Sequence, residues 1–246
     1  MLRSGYADRS TKPRVSTGLR VRKVLCSIGA GAHEALLDLS GATFEIFADR
    51  HGYDLDLRRE LTAPDRMPSW NKIPLILELF ERYELVLWLD ADSAIVDPTE
   101  DIAAELGPRD LMGMVAHRYE GQVVPNCGVW VLRRHRSVRR LLERMWNRTE
   151  YMDHEWWENA ALLDQLGYRI EPRVEVVRRS RMREHVRFLD GAWNSIGIDR
   201  APHPRINHYP GRSQAHRLEH LARDLDVARA VAARAMLPSP VDGQVS

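Results

Sequence analysis

Short, nearly continuous apolar runs alternate along the chain with segments whose apolar residues recur every three or four positions. These are the signatures of buried strands and of helices with one buried face. The run Val24 to Ile28, closed by Gly29 and Gly31, predicts a strand entering a tight loop. The segment SGATFEIFADRHGYDLDL reads as a helix stopped by Gly52 at its C-cap, followed by a strand from Tyr53 to Leu57. In SWNKIPLILELFERY, residues Ile76, Leu79, Phe80 and Tyr83 share one helical face, and Pro74 is tolerated in the first turn. The apolar strand Leu85 to Leu89 comes directly after it.

Further on, DPTEDIAAEL predicts a short helix capped by Thr99. LMGMVA and CGVWVL read as strands, the second introduced by Pro125 and Asn126. HRSVRRLLERMW places Val138, Leu141, Leu142 and Met145 on one face with arginines opposite, and WWENAALLDQLG is a further helix ending at Gly167. RVEVVR and HVRFLD suggest strands, and a long helix runs from Ser213 to about Met236. Strands alternating with helices predict an α/β domain: a mostly parallel, Rossmann-like sheet flanked by helices. Ligands of such sheets bind beyond the carboxyl ends of the strands. There is no internal repeat and no domain boundary, so a single domain over 21–236 is expected, with flexible tails at 1–20 and 237–246.

Composition narrows the function classes. Of 246 residues, 36 are basic and 35 acidic, a net charge of +1 that offers no field for nucleic acid or an anionic membrane. The basic residues are nearly all arginine. Lys12, Lys23 and Lys72 are the three lysines, which singles out Lys72 inside the folded region. The two cysteines, Cys26 and Cys127, lie in apolar, strand-like surroundings and read as buried thiols of a reducing compartment. The N-terminal stretch lacks the apolar core of a signal peptide, and no apolar run reaches a membrane span. A soluble cytoplasmic protein is expected, with its oligomeric state open.

Candidate chemistry concentrates in YELVLWLDADSAIVDP. Asp90 and Asp92 stand at the end of an apolar strand, and in an extended segment they project to the same side, with Ala91 turned away. Two such carboxylates suit a hard divalent cation, Mg²⁺ or Mn²⁺. A solvated turn in which Asp92 caps the next residues is the alternative. In INHYPGR, His208 follows a strand-like stretch and precedes a turn at Pro210 and Gly211. Brought back to the two aspartates, it would complete an oxygen and nitrogen site that favours Mn²⁺. Gly211 would then let backbone N–H groups approach a diphosphate, with Arg212 adding charge.

The segments HGYDLDL, SWNKIPLILELFERYELVLWLDADSAIVDP, NCGVWVLRRHRSVRRLLERMW, WWENAALLDQLG and NHYPGRS resemble, in order and rough spacing, a nucleotide-sugar glycosyltransferase of the GT-A fold. The nearest resemblance is to the galactosyl- and mannosyltransferase family of fungal mannan and plant xyloglucan enzymes, and a weaker one is to glycogenin-like retaining transferases. The resemblance implies that Asp90 and Asp92 form the metal-binding D-x-D around Ala91, which reaches the donor diphosphate through the metal, that His208 of a late H-x-x-G motif completes the metal shell, and that Gly211 is the glycine of that motif. It places Lys72 near the donor sugar or diphosphate, Asn126 and Gly128 in an asparagine-x-glycine turn on the sugar side, and Ser27, Ile28 and Gly29 against the nucleoside. Glu158 and Asn159 match an acidic-then-amide pair facing donor sugar and acceptor, with Trp157 beside them. The implied reaction is transfer of a sugar, first of all from a UDP-hexose, to a hydroxyl acceptor with retention, with Glu158 and Lys72 as the catalytic candidates.

The chain departs from that pattern at Asn159, where glutamine is usual, at Pro210, and in lacking the membrane anchor of Golgi members. GAGAHE at 29–34 has no phosphate-loop lysine and reads as a turn. The arginine clusters lack interleaved aromatics and cover helix faces rather than bind nucleic acid. Two other classes remain as alternatives: an aspartate-dependent phosphohydrolase, and a nucleotide-sugar binding protein without turnover.

Overall fold

The structure, a computed structural model, describes residues 21–235. The tails expected at 1–20 and 237–246, and the expected helix end at Met236, lie outside them. Strand β3 (Leu85–Leu89) is buried along its whole length. Its alternation sorts side chains into two cores: Val86 and Trp88 face one, and Leu85, Leu87 and Leu89 face the other. A strand buried on both faces must lie inside a sheet covered on both sides, and β3 does.

The sheet has six strands in the order β2-β1-β3-β6-β5-β9. Strand β1 (Lys23–Ile28) pairs in parallel with β2 (Asp54–Arg58) and with β3. Strand β6 (Gln122–Arg133) runs antiparallel to β3 and to β5 (Met112–Tyr119), and β5 pairs in parallel with β9 (Val186–Leu189). Helix α1 (Glu34–His51) covers one face and ends, as expected, at Gly52 in the left-handed region at φ 68°. Helices α2 (Lys72–Leu79), α3 (Arg136–Trp146) and α4 (Trp157–Gln165) cover the other face. On α3 the buried residues are Val138, Leu141, Leu142 and Met145, each contributing roughly 1.5–3 kcal/mol by burial. Helix α5 (Gln214–Ala235) packs Leu221 onto Leu36 of α1 and onto Ala94 of a short strand, β4 (Ser93–Ile95).

Several local expectations are revised. The turn at Ile102–Glu105 is capped by Asp101, whose side chain accepts from Ala103 N at 2.9 Å, while the Thr99 hydroxyl donates to Asp97. Aspartate two residues before a backbone N–H caps better than a hydroxyl already engaged elsewhere. Pro125 and Asn126 do not introduce a strand but lie inside β6. The expected strand RVEVVR shrinks to β8 (Glu175–Val176), which pairs only with β7 (Tyr168–Arg169). Strands β4 and β10 (Ile206–His208) form a separate antiparallel pair. Among the described residues, no helix is long and apolar enough to cross a membrane.

Candidate active site

Strands β1 and β3 are parallel neighbours, so Ser27 to Gly29 and Asp90 to Asp92 emerge at the same sheet edge. The pairing of β10 with β4 sets His208 opposite Ser93. Segments distant in sequence thereby meet: ligand atoms of Asp90, Asp92 and His208 all lie within 4.8 Å of one another. His208 Nε2 is 3.3 Å from Asp92 Oδ1 and 3.6 Å from Asp90 Oδ2.

The orientation of the histidine is decided by a chain of amides. The backbone N–H of Gly128 can only donate, and it does so to Asn126 Oδ1 at 2.8 Å. The group of Asn194 facing that same oxygen at 3.0 Å is therefore its NH₂. Asn194 Oδ1 is left to accept from His208 Nδ1, 2.9 Å away, so Nδ1 carries the proton. In the neutral ring Nε2 then presents a lone pair to the two carboxylates, the tautomer a metal ligand needs. Asn194 is fully buried, and nothing in the pattern around GAWNSI marks it out beforehand.

The residues fit a divalent cation. Two carboxylates and one imidazole converge, and the space between them is kept open by Gly128. A Cβ there would stand 2.3 Å from His208 Cε1 and 2.8 Å from Asp90 Oδ2. The strand supplies this glycine through an irregularity. Pairing of β5 with β6 jumps from Met114 opposite Trp130 to Val115 opposite Asn126, so residues 127–129 bulge away from β5. Gly128 O accepts from Asp90 N at 2.8 Å, joining the bulge to the D-x-D turn.

Behind Asp90 lies a buried ion pair. Lys72 Nζ is 2.7 Å from Glu158 Oε1 and 3.0 Å from Asp90 Oδ1, with its side chain 1% exposed. Trp88 Nε1 donates to the same Asp90 oxygen at 2.8 Å, which leaves Oδ2 turned toward His208. Burial opposes the Lys72 charge, but Asp90 foremost, with Glu158, outweighs it and raises the pKa well above the ordinary lysine value. The two aspartates diverge. Burial raises the pKa of Asp90, only partly offset by Lys72 and His208. Burial pushes Asp92 the same way, but His208 and Arg217 prevail and lower it. For His208, burial is outweighed by Asp92 and Asp90, and the pKa rises.

Glu158 Oε2 is buried without a hydrogen-bond partner. The residue before it, Trp157, holds a left-handed φ of 41°, a conformation a bulky residue adopts only when its surroundings impose it. Both groups of the Asn159 amide are engaged by β6: Oδ1 accepts from Cys127 N and Nδ2 donates to Pro125 O, each at 3.1 Å. Cys127, foreseen only as a buried thiol, packs against the Lys72–Glu158 pair, with Sγ 3.9 Å from Lys72 Nζ and 3.8 Å from Glu158 Oε1. Ser27 is fully buried with an unpartnered hydroxyl, Ile28 is nearly buried, and Gly29 N donates to Arg58 O at 2.9 Å. The arginine that reaches Asp92 is Arg217, Nε to Oδ2 at 3.6 Å, while the Arg212 guanidinium lies across Gly197. Gly211 sits at a left-handed φ of 68° in the turn after His208.

No family model matches the chain, and no curated protein matches it in sequence. Its backbone is similar to a solved glycosyltransferase involved in the glycosylation of the major capsid of PBCV-1, with a TM-score of 0.62 and 17% identity over 81% of this chain and 99% of that one. It is also similar to the glycosyltransferase GlyE of Streptococcus pneumoniae TIGR4, with a TM-score of 0.56 and 14% identity over 91% of this chain and 67% of that one. At such identities the likeness is one of fold. The chain thus has the α/β fold of the GT-A glycosyltransferases, a single domain on a mostly parallel sheet flanked by helices.

Proposed function

We propose that this chain is a metal-dependent glycosyltransferase that moves a sugar from a nucleotide-diphosphate sugar, first of all a UDP-hexose, to a hydroxyl acceptor with retention of configuration. The observation that carries the reading is the meeting of Asp90, Asp92 and His208 at the carboxyl edge of the parallel strands, beside the buried Lys72–Glu158 pair. Mn²⁺ or Mg²⁺, with Mn²⁺ favoured by the imidazole, would be held by these three residues and supply Lewis acidity for a departing diphosphate.

The protein's own groups have distinct tasks. Lys72 sets a positive charge against Asp90 Oδ1 and turns that carboxylate, and Asn126 with Asn194 holds a proton on Nδ1 of His208, so that Nε2 is the nitrogen left to a cation. Glu158 has a buried oxygen without a partner, which we assign to accept from a sugar hydroxyl or to stabilise positive charge growing on the sugar ring. Ser27, Ile28 and Gly29 are assigned to the nucleoside, and Trp157 with Asn159 to the sugar and acceptor side. The nearer resemblance to galactosyl- and mannosyltransferases, and a cytoplasmic setting, belong to the same proposal. The phosphohydrolase alternative is not favoured: the backbone is similar to solved glycosyltransferases, and the two carboxylates converge with His208 as a set of cation ligands.

The test is thermal unfolding with UDP, GDP and ADP, each with Mn²⁺ or with chelator. A nucleotide at about a hundred times its dissociation constant adds roughly 2.7 kcal/mol. A shift with UDP that needs Mn²⁺ and is lost in Asp92→Ala supports the reading. The same nucleotide binding with no sugar transfer or donor hydrolysis points to a binding protein, and no metal-dependent shift with any nucleotide overturns both.

A further inference from the structure

Helix α5 buries Leu221, Asp224, Leu225 and Ala228, the spacing of one apolar stripe. Asp224 is the charged residue in that stripe and is 8% exposed. Among the described residues it has no ion-pair partner. Its two oxygens accept from neutral groups instead, Oδ1 from Asn207 Nδ2 at 3.0 Å and Oδ2 from the Tyr209 hydroxyl at 2.6 Å. Burial raises its pKa even against those two bonds. A charge costs free energy at such a position, where an apolar side chain would simply complete the stripe. Packing alone does not call for a carboxylate here.

What the two donors share is their place in the chain. Asn207 and Tyr209 stand on either side of His208, and neighbours along an extended segment project to the side opposite it. Asp224 therefore holds the chain from behind the histidine, whose ring faces Asp90 and Asp92. The strand that carries His208 has few other supports. β10 has three residues, lies outside the six-stranded sheet and pairs with β4, itself three residues long. Backbone bonds from His208 N to Ser195 O at 2.9 Å and from Tyr209 N to Asp92 O at 3.0 Å keep the main chain in register. The two side-chain bonds to Asp224 oppose rotation of the strand about its own axis, the motion that would swing the imidazole away from the carboxylates. Asn194 holds the ring itself, from the other side.

We propose that Asp224 is a positioning residue for the cation site, keeping His208 turned towards Asp90 and Asp92 through Asn207 and Tyr209, an assignment that rests on the reading of these three residues as cation ligands. Asp224→Leu and Asp224→Asn separate position from mere support of the helix. Asparagine can keep both contacts, because its Oδ1 accepts from Asn207 and the Tyr209 hydroxyl can accept from its Nδ2, whereas leucine can keep neither. Mn²⁺ titration of the full chain is expected to show affinity reduced about tenfold or more in Asp224→Leu and restored to near the parent value in Asp224→Asn. Long-range ¹H–¹⁵N NMR reads His208 without metal, at alkaline pH where the ring is neutral. The parent and Asp224→Asn are expected to show one tautomer, with the proton on Nδ1, and Asp224→Leu a mixture. A folded Asp224→Leu with parental Mn²⁺ affinity and a parental His208 spectrum overturns the proposal. Equal loss of affinity in both variants overturns it too, since the charge and not the position would then matter. If Asp224→Leu does not fold, Tyr209→Phe removes one of the two bonds and is expected to weaken Mn²⁺ binding about threefold or more, and unchanged binding there overturns the proposal. A parent that takes up no Mn²⁺ overturns the cation reading instead, and the His208 spectra alone then support or overturn the role of Asp224.

Discussion

Replacing Lys72 by methionine removes one cation from between two carboxylates. Its side chain is 1% exposed and that of Glu158 is 5% exposed, so water cannot take over the lost contact at 2.7 Å. Breaking a buried pair by removing one partner costs about 3–5 kcal/mol, because the other charge is left uncompensated. Against a total stability of roughly 5–15 kcal/mol the variant should remain folded but be markedly weakened. For a chain of this size the loss corresponds to about 2–4 °C in Tm per kcal/mol. Adding Glu158→Gln should return part of it, since the orphaned charge is then gone and only Asp90, 29% exposed, remains unpaired. The two substitutions should couple by at least about 1 kcal/mol. Urea unfolding of the four proteins at neutral pH, followed by tryptophan fluorescence, measures each term. A Lys72→Met protein within about 1 kcal/mol of the parent, or a double variant equal to the sum of the singles, would refute the argument that the pair is mutually compensating.

The other expectations concern the cation site and a buried histidine. Gly128→Ala places a Cβ 2.3 Å from His208 Cε1, so the ring or the bulge must shift; about 1–3 kcal/mol of stability and most Mn²⁺ affinity should be lost, read by unfolding and by metal titration. Asn194→Ala frees Nδ1 of His208 and should weaken Mn²⁺ binding about 10–100-fold. An unchanged affinity would remove the amide chain from the argument. His117 on β5 is 2% exposed, its nitrogens make no hydrogen bond, and burial, with His208, outweighs Asp199 3.6 Å from Nδ1 and pushes its pKa down to about 4. A lowered folded-state value means that the unfolded chain takes up the proton first. The stability held by neutral His117 is complete above the ordinary value of about 6.5 and falls by about 3 kcal/mol as the pH drops to about 4. The pH dependence of urea stability should flatten across that interval in His117→Phe, and an unaltered profile would show that the ring titrates normally.

Much of the architecture was legible because it rests on local physics. Strand β3 matched its apolar run from Leu85 to Leu89, and α1 stopped where Gly52 could turn left-handed. The face of α3 followed from its spacing, and that of α2 in part: Ile76 and Leu79 are buried on it, but the helix ends at Leu79, before Phe80 and Tyr83. What misled was chemistry between neighbours: Thr99 resembled a cap until Asp97 engaged it, and Pro125 resembled a strand start although it lies within β6. In the site, Asp90, Asp92 and His208 were singled out as separate motifs, and Lys72 by its rarity. Asn194, Trp88, Cys127 in its position against the Lys72–Glu158 pair, and Arg217 had no signal in the pattern.

By itself, then, the sequence determined the rhythm of strands and helices and the placing of two carboxylates just past an apolar strand, because apolar periodicity and chain-breaking residues act over a few positions. The tertiary structure alone decided that β10 returns His208 to those carboxylates and that a bulge in β6 leaves Gly128 between them. It also decided that an asparagine on another loop selects the tautomer of the histidine, and that an aspartate of α5 binds the residues on either side of it. Each of these depends on contacts between residues far apart in the chain, whose geometry exists only once the sheet has brought its strands into register.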